Sequence, residues 1–201
     1  MTTPYPTLER QALDDTHAVW SGRLPDELVP DDDAFEDLWN LHPEEYHLIH
    51  IHGRQVRTPR WQQAYGADYH YTGQTNRALA LTPQMEPLLD WAREHIDPRL
   101  NGLLFNWYDG QKGHYIGRHR DSTTNMIPGT PIVTLSMGQE RIFRMRPWKQ
   151  KNVRLDFTVD HGSVLVVPYD TNQSWTHEVP AFKRWTQRRI SITLRGFENA
   201  A

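Results

Sequence analysis

A series of short apolar segments separated by turn residues constrains the fold of this chain more than any other feature. In the last segment, Ile190, Ile192 and Leu194 alternate with polar residues, and Gly, Pro, Asn and Asp stand between the segments. Many short strands at this spacing are typical of a β-sandwich or a jelly roll. The predicted strands are 103–108, 131–137, 141–146, 153–159, 163–168 and 189–195.

The residues before this region predict helices. Apolar residues at helical spacing follow Asp31-Asp32-Asp33, whose side chains can cap a helix, and they predict a first helix with its apolar face over 35–41. A second apolar face spans 85–96. Residues 1–33 contain four prolines and are expected to form an extended or loosely packed arm. The fold class is therefore predicted to be α+β, with helices preceding a β-rich core.

The charge of the chain is unevenly distributed. The net charge is −3, but residues 1–50 carry 12 acidic and 2 basic residues, whereas residues 51–201 carry 20 basic and 13 acidic ones. An acidic segment of −10 thus precedes a body of +7. We expect a single domain with two parts, in which residues 1–50 form the acidic arm and first helix and residues 51–201 form the β-rich body. A basic body is compatible with a polyanionic partner such as nucleic acid.

Composition excludes several classes of site and protein. Cysteine is absent, which excludes disulfide partners, thiolate nucleophiles and iron–sulfur clusters, so any metal must be bound by His, Asp or Glu. No apolar run approaches the length of a membrane span, and the first residues lack the pattern of a secretory signal. We therefore expect a cytoplasmic, soluble protein with no membrane partner, and a monomer by default.

One short motif indicates a metal site. In His119-Arg120-Asp121 the imidazole and the carboxylate lie two residues apart, and on an extended chain they face the same side. His177, on a later segment, is the best candidate for a third ligand. Two imidazoles and one carboxylate leave three positions open on a metal ion, as non-haem Fe(II) oxygenases require. Because the chain has 11 histidines, a surface polar pair is the alternative interpretation of the motif alone.

Several blocks in fixed order strengthen the metal hypothesis. They are Asn106-Trp107-Tyr108, His119-Arg120-Asp121, 131–138, His161-Gly162-Ser163, Trp175-Thr176-His177 and 189–195. Together these blocks resemble the AlkB family of Fe(II)/2-oxoglutarate dioxygenases, over about residues 54–197, and are most similar to its DNA-repair branch. The resemblance implies a double-stranded β-helix (jelly-roll) core with the N-terminal helices packed on one side. It also implies that His119, Asp121 and His177 hold the iron and that 2-oxoglutarate and O₂ are cosubstrates.

The same resemblance implies a binding site for 2-oxoglutarate. Asn106 and Tyr108 would contact it from one strand, Arg189 would pair with its distal carboxylate, and Arg195 would lie by the carboxylate nearer the metal. Guanidinium groups suit a dianion because each offers a fork of N–H donors. One position departs from the family pattern, since Ser191 stands where the family often has Asn. Serine keeps a hydrogen-bonding group but is shorter, so its reach toward the inner carboxylate is expected to differ from that of Asn.

The aromatic and Gly-punctuated run 59–73 resembles the nucleotide-recognition lid of the DNA-repair branch. An extruded base needs stacking surfaces and hydrogen-bonding groups, which this run offers. The alternative is an aromatic hairpin that only packs against the β-rich core. Together with the arginine between the metal ligands, the candidates for substrate contact are Trp61, Gln62, Tyr65, Tyr69, Tyr71 and Arg120.

Basic residues near these motifs predict a track for a phosphate backbone. The alternative is that they are ordinary charges on the exterior of the fold. The candidates are Arg54, Arg57, Arg60, Arg77, Arg118, Arg120, Arg141, Arg144, Arg146, Lys149 and Lys151.

Three functions remain open from the sequence. The favoured hypothesis is oxidative dealkylation of N-alkylated bases in DNA or RNA, such as 1-methyladenine and 3-methylcytosine, with release of formaldehyde, succinate and CO₂. The alternative is an AlkB-fold oxygenase that hydroxylates or demethylates a small molecule or a protein side chain, for which the acidic arm and Ser191 leave room. A non-catalytic binding protein is the third, and the intact set of two histidines, one aspartate and two arginines argues against it.

Overall fold

The computed structural model describes residues 4–51, 53–71, 74–150 and 152–198 of the 201-residue chain. The strands among these residues are β1 (Glu9–Ala12), β2 (Ala18–Arg23), β3 (Leu48–Ile51), β4 (Arg54–Arg57), β5 (Trp61–Tyr65), β6 (Tyr69–Tyr71), β7 (Gln74–Asn76), β8 (Ala78–Leu79), β9 (Gly102–Asp109), β10 (Ile116–His119), β11 (Ile132–Gly138), β12 (Arg141–Pro147), β13 (Leu155–Val159), β14 (Ser163–Val167), β15 (Trp175–Val179) and β16 (Arg188–Arg195). The helices are α1 (Asp32–Trp39), α2 (Glu86–His95), α3 (Tyr169–Ser174) and a 3₁₀ turn at Asp26–Leu28. The fold is mostly β with few helices.

Most of the strands belong to two sheets. The larger sheet has the order β1-β2-β14-β11-β16-β9-β5-β8, and the smaller has the order β10-β15-β12-β13. Neighbours in both sheets are antiparallel except β5 and β8, which are parallel. Two hairpins, β3–β4 and β6–β7, lie outside these sheets. No helix in the described part of the chain is long and apolar enough to cross a membrane.

Strand β16 shows how the alternating sequence separates two environments. Ile190, Ile192 and Leu194 belong to a core cluster that also contains residues of α1 and α2, so both helices cover one face of the larger sheet. The residues that alternate with them lie on the opposite face, because successive side chains on a strand point to opposite sides. These are Arg189, Ser191, Thr193 and Arg195. Since those residues are also buried, the polar side chains of β16 lie inside the protein.

A second core cluster joins the two sheets. It combines Leu104 and Leu165 of the larger sheet with Phe143, Met145 and Val179 of the smaller one. Burial of such side chains contributes about 1.5–3 kcal/mol each, which holds the sheets together. Polar residues interrupt this apolar contact, and they define the site described below.

The predicted strands and helices are confirmed with small shifts in their ends. Strands β9, β11, β12, β13, β14 and β16 correspond to the six predicted ones. Helix α1 begins earlier than its apolar face, because the side chain of Asp31 accepts a hydrogen bond of 2.9 Å from the backbone N–H of Ala34. Helix α2 matches the predicted span within one residue at each end.

The expectation of an extended or loosely packed arm over residues 1–33 is wrong for residues 9–23. There, β1 and β2 form a hairpin, and β2 pairs with β14 at the edge of the larger sheet. Val19 is fully buried, and Arg23 forms an ion pair of 3.0 Å with Asp160. The four prolines misled the prediction because all of them lie outside these two strands, where they limit the hairpin without disrupting it.

Candidate metal centre and active-site cavity

His119, Asp121 and His177 converge in the structure from two paired strands. His119 ends β10 and lies opposite His177 of β15, and Asp121 follows two residues later. The carboxylate oxygen Oδ1 of Asp121 lies 3.3 Å from Nε2 of His119 and 3.7 Å from Nε2 of His177. One ligand atom from each residue lies within 4.8 Å of the others. Such a group can hold one metal ion through two imidazoles and one carboxylate.

Neighbouring groups fix the orientation of these side chains. Nδ1 of His119 donates to the carbonyl of Gly117 at 2.8 Å, which leaves Nε2 with its lone pair directed at the cluster. The backbone of Asp121 exchanges two hydrogen bonds with the buried amide of Asn172, at 3.0 and 3.1 Å. The ring of Phe143 stacks on His177 with 5.0 Å between ring centroids. The three side chains are therefore held in place by the protein.

The protonation states also suit a metal. Burial alone would raise the pKa of Asp121, but Arg195 and the two imidazoles outweigh it and hold the pKa well below its usual range. Burial, and then repulsion by His119, lowers the pKa of His177 to about 3. At neutral pH the cluster thus offers an ionised carboxylate and a neutral imidazole, which are the forms that bind metals.

A cavity of about 400 Å³ opens over the cluster. All three candidate ligands line it, together with Asn106 and Tyr108 of β9. Its wall also includes the polar face of β16 and residues of the β3–β4 hairpin, β5, β6, β11, β12, β14 and β15. The volume is in the range of small-molecule and cofactor sites.

Two buried arginines of β16 have N–H groups without acceptors among the described residues. For Arg189 these are Nη1 and Nη2, and for Arg195 they are Nε and Nη1. Both side chains are at most 2% exposed. Nη2 of Arg195 donates to Oδ2 of Asp121 at 2.6 Å, and Nε of Arg189 donates to Ser136 at 2.9 Å. Buried donors of this kind are costly unless an acceptor binds, so this end of the site fits a ligand with two carboxylates.

Comparison with known proteins identifies the family. The model of the family described as "2OG-Fe(II) oxygenase superfamily" matches residues 37–195. The chain belongs to this superfamily. The matched range contains the three candidate metal ligands and both buried arginines, so the family and the geometry point to the same cofactors, Fe(II) and 2-oxoglutarate.

Curated proteins that are similar to this chain in sequence include AlkB homologues. The chain is 31% identical over 157 residues to the mouse protein named "DNA oxidative demethylase ALKBH2" and 31% identical over 164 residues to its human counterpart. It is 29% identical over 121 residues to rat "Alpha-ketoglutarate-dependent dioxygenase alkB homolog 3". The matches cover 73%, 73% and 56% of this chain and 65%, 60% and 41% of the relatives. The resemblance to the AlkB family is confirmed, although the chain spans less than two thirds of these relatives.

A solved structure shows the same fold. The structure described as "The structure of OsALKBH1" superposes with a TM-score of 0.60 over 93% of this chain and 99% of that one, at 12% sequence identity. Sequence identity this low supports the shared fold alone.

Of the residues expected to bind 2-oxoglutarate, all but Arg189 line the cavity. Asn106 and Ser191 are Cα partners on β9 and β16, and both line the cavity. Arg60, which is buried, donates from Nε to Oδ1 of Asn106 at 2.7 Å. Arg189 is not among the cavity-lining residues, but its guanidinium carbon lies 5.1 Å from the ring centre of Tyr108, which does line the cavity.

Three of the expected substrate residues lie away from the cavity. Trp61 and Tyr65 point to the helix-covered face of the larger sheet, because odd-numbered residues of β5 face that core. The ring of Trp61 is stacked between His42 and Tyr46, at 4.2 and 5.2 Å. Arg120 packs its guanidinium 4.1 Å from the ring centre of Trp148 and donates to the carbonyl of Gln173. These three residues do not line the cavity, and their contact with substrate stays a prediction.

The other candidates do line the cavity. Gln62 lies on the opposite face of β5 from Trp61, is 2% exposed, and donates from Nε2 to the hydroxyl of Tyr71 in a short hydrogen bond. Burial raises the pKa of Tyr71 to about 12, so the hydroxyl stays protonated. Tyr69 is stacked between Tyr71, at 5.0 Å, and the guanidinium of Arg195, at 4.5 Å. Tyr69 therefore supports the wall of the site as well as lining it.

The predicted phosphate track is largely occupied by contacts within the protein. Arg141 is buried, Arg77 pairs with Asp68, and Arg144 pairs with Asp156. Arg146 pairs with Glu178, Arg60 binds Asn106, and Lys151 lies outside the described residues. Arg57 and Arg118 line the cavity, and Arg54 lies exposed on the same strand as Arg57. Arg118 also donates hydrogen bonds to the hydroxyl of Thr176 and to the carbonyls of Pro147 and Trp148. The basic residues of the track that remain exposed without such contacts in the described part of the chain are Arg54, Arg57 and Lys149.

Sequence reasoning missed two contributors to the site. Asn172 on α3 holds the backbone of Asp121, and no local pattern distinguishes it from other asparagines of the chain. Phe143 packs on His177. The alternating pattern of β12, which pairs with β15, could have indicated that its side chain faces the core.

Proposed function

We propose that this oxygenase catalyses Fe(II)- and 2-oxoglutarate-dependent oxidative dealkylation of N-alkylated bases in DNA or RNA, such as 1-methyladenine and 3-methylcytosine, releasing formaldehyde, succinate and CO₂. The observation that carries the proposal is the cluster of His119, Asp121 and His177 in a cavity that Arg195 also lines. Arg195 and the neighbouring Arg189 are buried and have N–H groups without acceptors among the described residues. The names of the ALKBH2 relatives supply the reaction class.

In this proposal the chain's residues divide into two binding sets. His119, Asp121 and His177 hold Fe(II), which supplies the activation of O₂ and the removal of hydrogen from the carbon attached to the base nitrogen. Asn106, Tyr108, Arg189, Ser191 and Arg195 bind 2-oxoglutarate. Arg195 has two tasks, because it orients Asp121 through one N–H while others remain for a carboxylate.

The outer part of the cavity binds the alkylated base. Gln62 and Tyr71 line the cavity with an amide group and a hydroxyl. The amide oxygen Oε1 of Gln62 is buried and accepts no hydrogen bond from the described residues. Arg57 and Arg118 supply positive charge where a nucleic-acid backbone approaches. The cavity walls exclude water from the reacting centre.

The fold and setting belong to the same proposal. The two facing sheets support a double-stranded β-helix core, and we treat residues 1–50 and 51–201 as parts of one domain. We propose a monomeric enzyme of the cytoplasm, with alkylated nucleic acid as its partner.

Mass spectrometry of short oligonucleotides tests the reaction. An oligonucleotide carrying 1-methyladenine or 3-methylcytosine, incubated with protein, Fe(II), 2-oxoglutarate and air, is expected to lose one methylene mass. The variant His119→Ala is the matched control and is expected to leave the mass unchanged. Succinate formation without any mass loss on several methylated oligonucleotides contradicts this reaction.

That outcome would favour a second function, hydroxylation or demethylation of a small molecule or protein side chain. The occupied arginines of the predicted phosphate track support it, because they leave few cations for a nucleic-acid backbone. A panel of methylated amino acids and peptides, assayed for succinate, distinguishes the two functions.

A further inference from the structure

Arg141 is an unusual residue outside the set assigned to the reaction. It begins β12, yet its side chain is only 1% exposed. Its Nη1 group donates to Oε1 of Gln139 at 2.6 Å and to the carbonyl of Glu140 at 3.0 Å, and its Nη2 group donates to the carbonyl of Gln187 at 3.0 Å. Every one of these acceptors is neutral. No carboxylate of the described residues lies within ion-pair distance of Arg141.

Arg141 adjoins Arg189 in the fold. The Cα partner of Arg189 on β11 is Gly138, which begins the turn leading to Arg141. Gln187, which binds Arg141, lies two residues before Arg189. Burial, and then repulsion by Arg189, lowers the pKa of Arg141 to about 10. The strand pairing and the hydrogen bond to Gln187 therefore place Arg141 and Arg189 at the same corner of the fold.

Two buried cations side by side are unfavourable without a counter-charge. Nη1 and Nη2 of Arg189 have no acceptor within the described structure, and it has no carboxylate partner there either. The ring of Tyr108 lies over Arg189, with 5.1 Å between the ring centre and the guanidinium carbon. An anion that binds Arg189 therefore also experiences the field of Arg141, and in a buried site such a field is weakly screened.

We propose that Arg141 is a positioning residue for 2-oxoglutarate, which strengthens the binding of the distal carboxylate at Arg189 through its charge without touching it. The inference rests on the proposed role of Arg189 in the reaction above. It does not rest on the nature of the alkylated substrate, because 2-oxoglutarate is the cosubstrate whichever substrate is oxidised.

Gln139→Glu tests the charge without removing the arginine. The substitution is nearly isosteric, and it places a carboxylate on an atom that already accepts hydrogen bonds from Arg141 and from the backbone N–H of Gln187. We expect it to weaken 2-oxoglutarate binding about tenfold, because it neutralises Arg141. The unfolding temperature should be retained or raised, since a buried cation gains an ion pair. The matched control is Gln150→Glu, which makes the same charge change at an exposed position and should change binding less than twofold.

Arg141→Gln and Arg141→Lys complete the test. Arg141→Gln removes the charge and should also weaken binding about tenfold, whereas Arg141→Lys keeps the charge and should remain within about threefold of the unaltered protein. Arg154→Gln, at an exposed loop position, is the control for loss of a positive charge.

Calorimetry of anaerobic, Fe(II)-loaded protein gives the dissociation constant of 2-oxoglutarate for each variant. The rise in unfolding temperature that 2-oxoglutarate causes in metal-free protein gives a second readout. In turnover, KM for 2-oxoglutarate should rise while kcat changes less than twofold. Unchanged binding in Gln139→Glu overturns the proposal, and so does equal loss in Arg141→Lys and Arg141→Gln. Because these measurements use no nucleic acid, they stand even if the proposed demethylation fails.

Discussion

The proposed chemistry depends on one residue pair at the end of β10. His119 and Asp121 reach the same point because the chain remains extended between them, and Gly117 and Asn172 fix their orientation. We expect wild-type protein with Fe(II) and 2-oxoglutarate, without oxygen, to develop a weak visible charge-transfer band. His119→Ala should lose this band, and because the side chain is 30% exposed, its unfolding free energy should fall by less than about 1 kcal/mol. A band of full intensity in His119→Ala would place the metal elsewhere.

Tyr71 provides a second test at the residue scale. Its hydroxyl accepts the hydrogen bond of the buried Gln62 amide, so Tyr71→Phe leaves a buried donor unsatisfied. We expect Tyr71→Phe to lower the unfolding free energy by about 1–3 kcal/mol. Urea unfolding measures the loss, and Tyr115→Phe, at a tyrosine that is 43% exposed, is the control with little expected change. Equal stability of Tyr71→Phe and wild type would show that the hydrogen bond does not form.

At the scale of elements, the end of β11 places Arg189 and depends on a glycine. Gly138 has φ of +85°, and an added Cβ would lie 2.6 Å from the carbonyl oxygen of Arg188 and 2.8 Å from the ring of Phe35. Gly138→Ala should therefore cost about 3 kcal/mol or more, from backbone strain together with the clash. It should also raise KM for 2-oxoglutarate, because Gly138 pairs with Arg189.

A control substitution at Gly113 separates the effect of backbone strain from that of a steric clash. Gly113 also has a positive φ of +66°, but nothing lies within 4 Å of an added Cβ. Gly113→Ala should cost only about 1–2 kcal/mol and leave KM unchanged. Similar costs for the two substitutions, measured by chemical unfolding, would contradict the predicted clash at Gly138.

The strands also show which parts of the fold can be predicted from the sequence. The six strands from β9 to β16 that carry alternating apolar residues were predictable, because one face of each meets a core. The hairpin of β1 and β2 was not, since its pairing with β14 joins residues more than a hundred positions apart. On β5 the composition suggested an aromatic binding surface, but strand alternation sends Trp61 and Tyr65 to one face and Gln62 to the other. Composition identified the segment, and only the three-dimensional packing determined which side chains reach the cavity.

For the whole molecule, the uneven charge has a structural meaning. Arg188 pairs with Glu36 of α1, and Arg23 pairs with Asp160, so ion pairs connect the acidic and basic parts of the chain. Arg77, Arg144 and Arg146 of the predicted phosphate track are also ion-paired, whereas Arg54, Arg57 and Lys149 are exposed. A polyanion is therefore expected to meet few free cations.

The salt dependence of oligonucleotide binding tests this interpretation. With about three phosphate contacts, the logarithm of the binding constant should fall against the logarithm of salt concentration with a slope of about −2 to −3. Replacing both Arg54 and Arg57 by Gln should flatten the slope, while Arg154→Gln should leave it unchanged. A slope of about −7 or steeper would mean that the paired arginines also bind the backbone.

We propose that the cluster of His119, Asp121 and His177 couples 2-oxoglutarate turnover to removal of an alkyl group from a nucleic-acid base. The ratio of formaldehyde to succinate formed with an oligonucleotide that carries 1-methyladenine measures this coupling. We expect equal amounts of the two products, both dependent on the methyl group and both abolished in His119→Ala. Succinate that forms at the same rate with the unmethylated oligonucleotide, without formaldehyde, would contradict it.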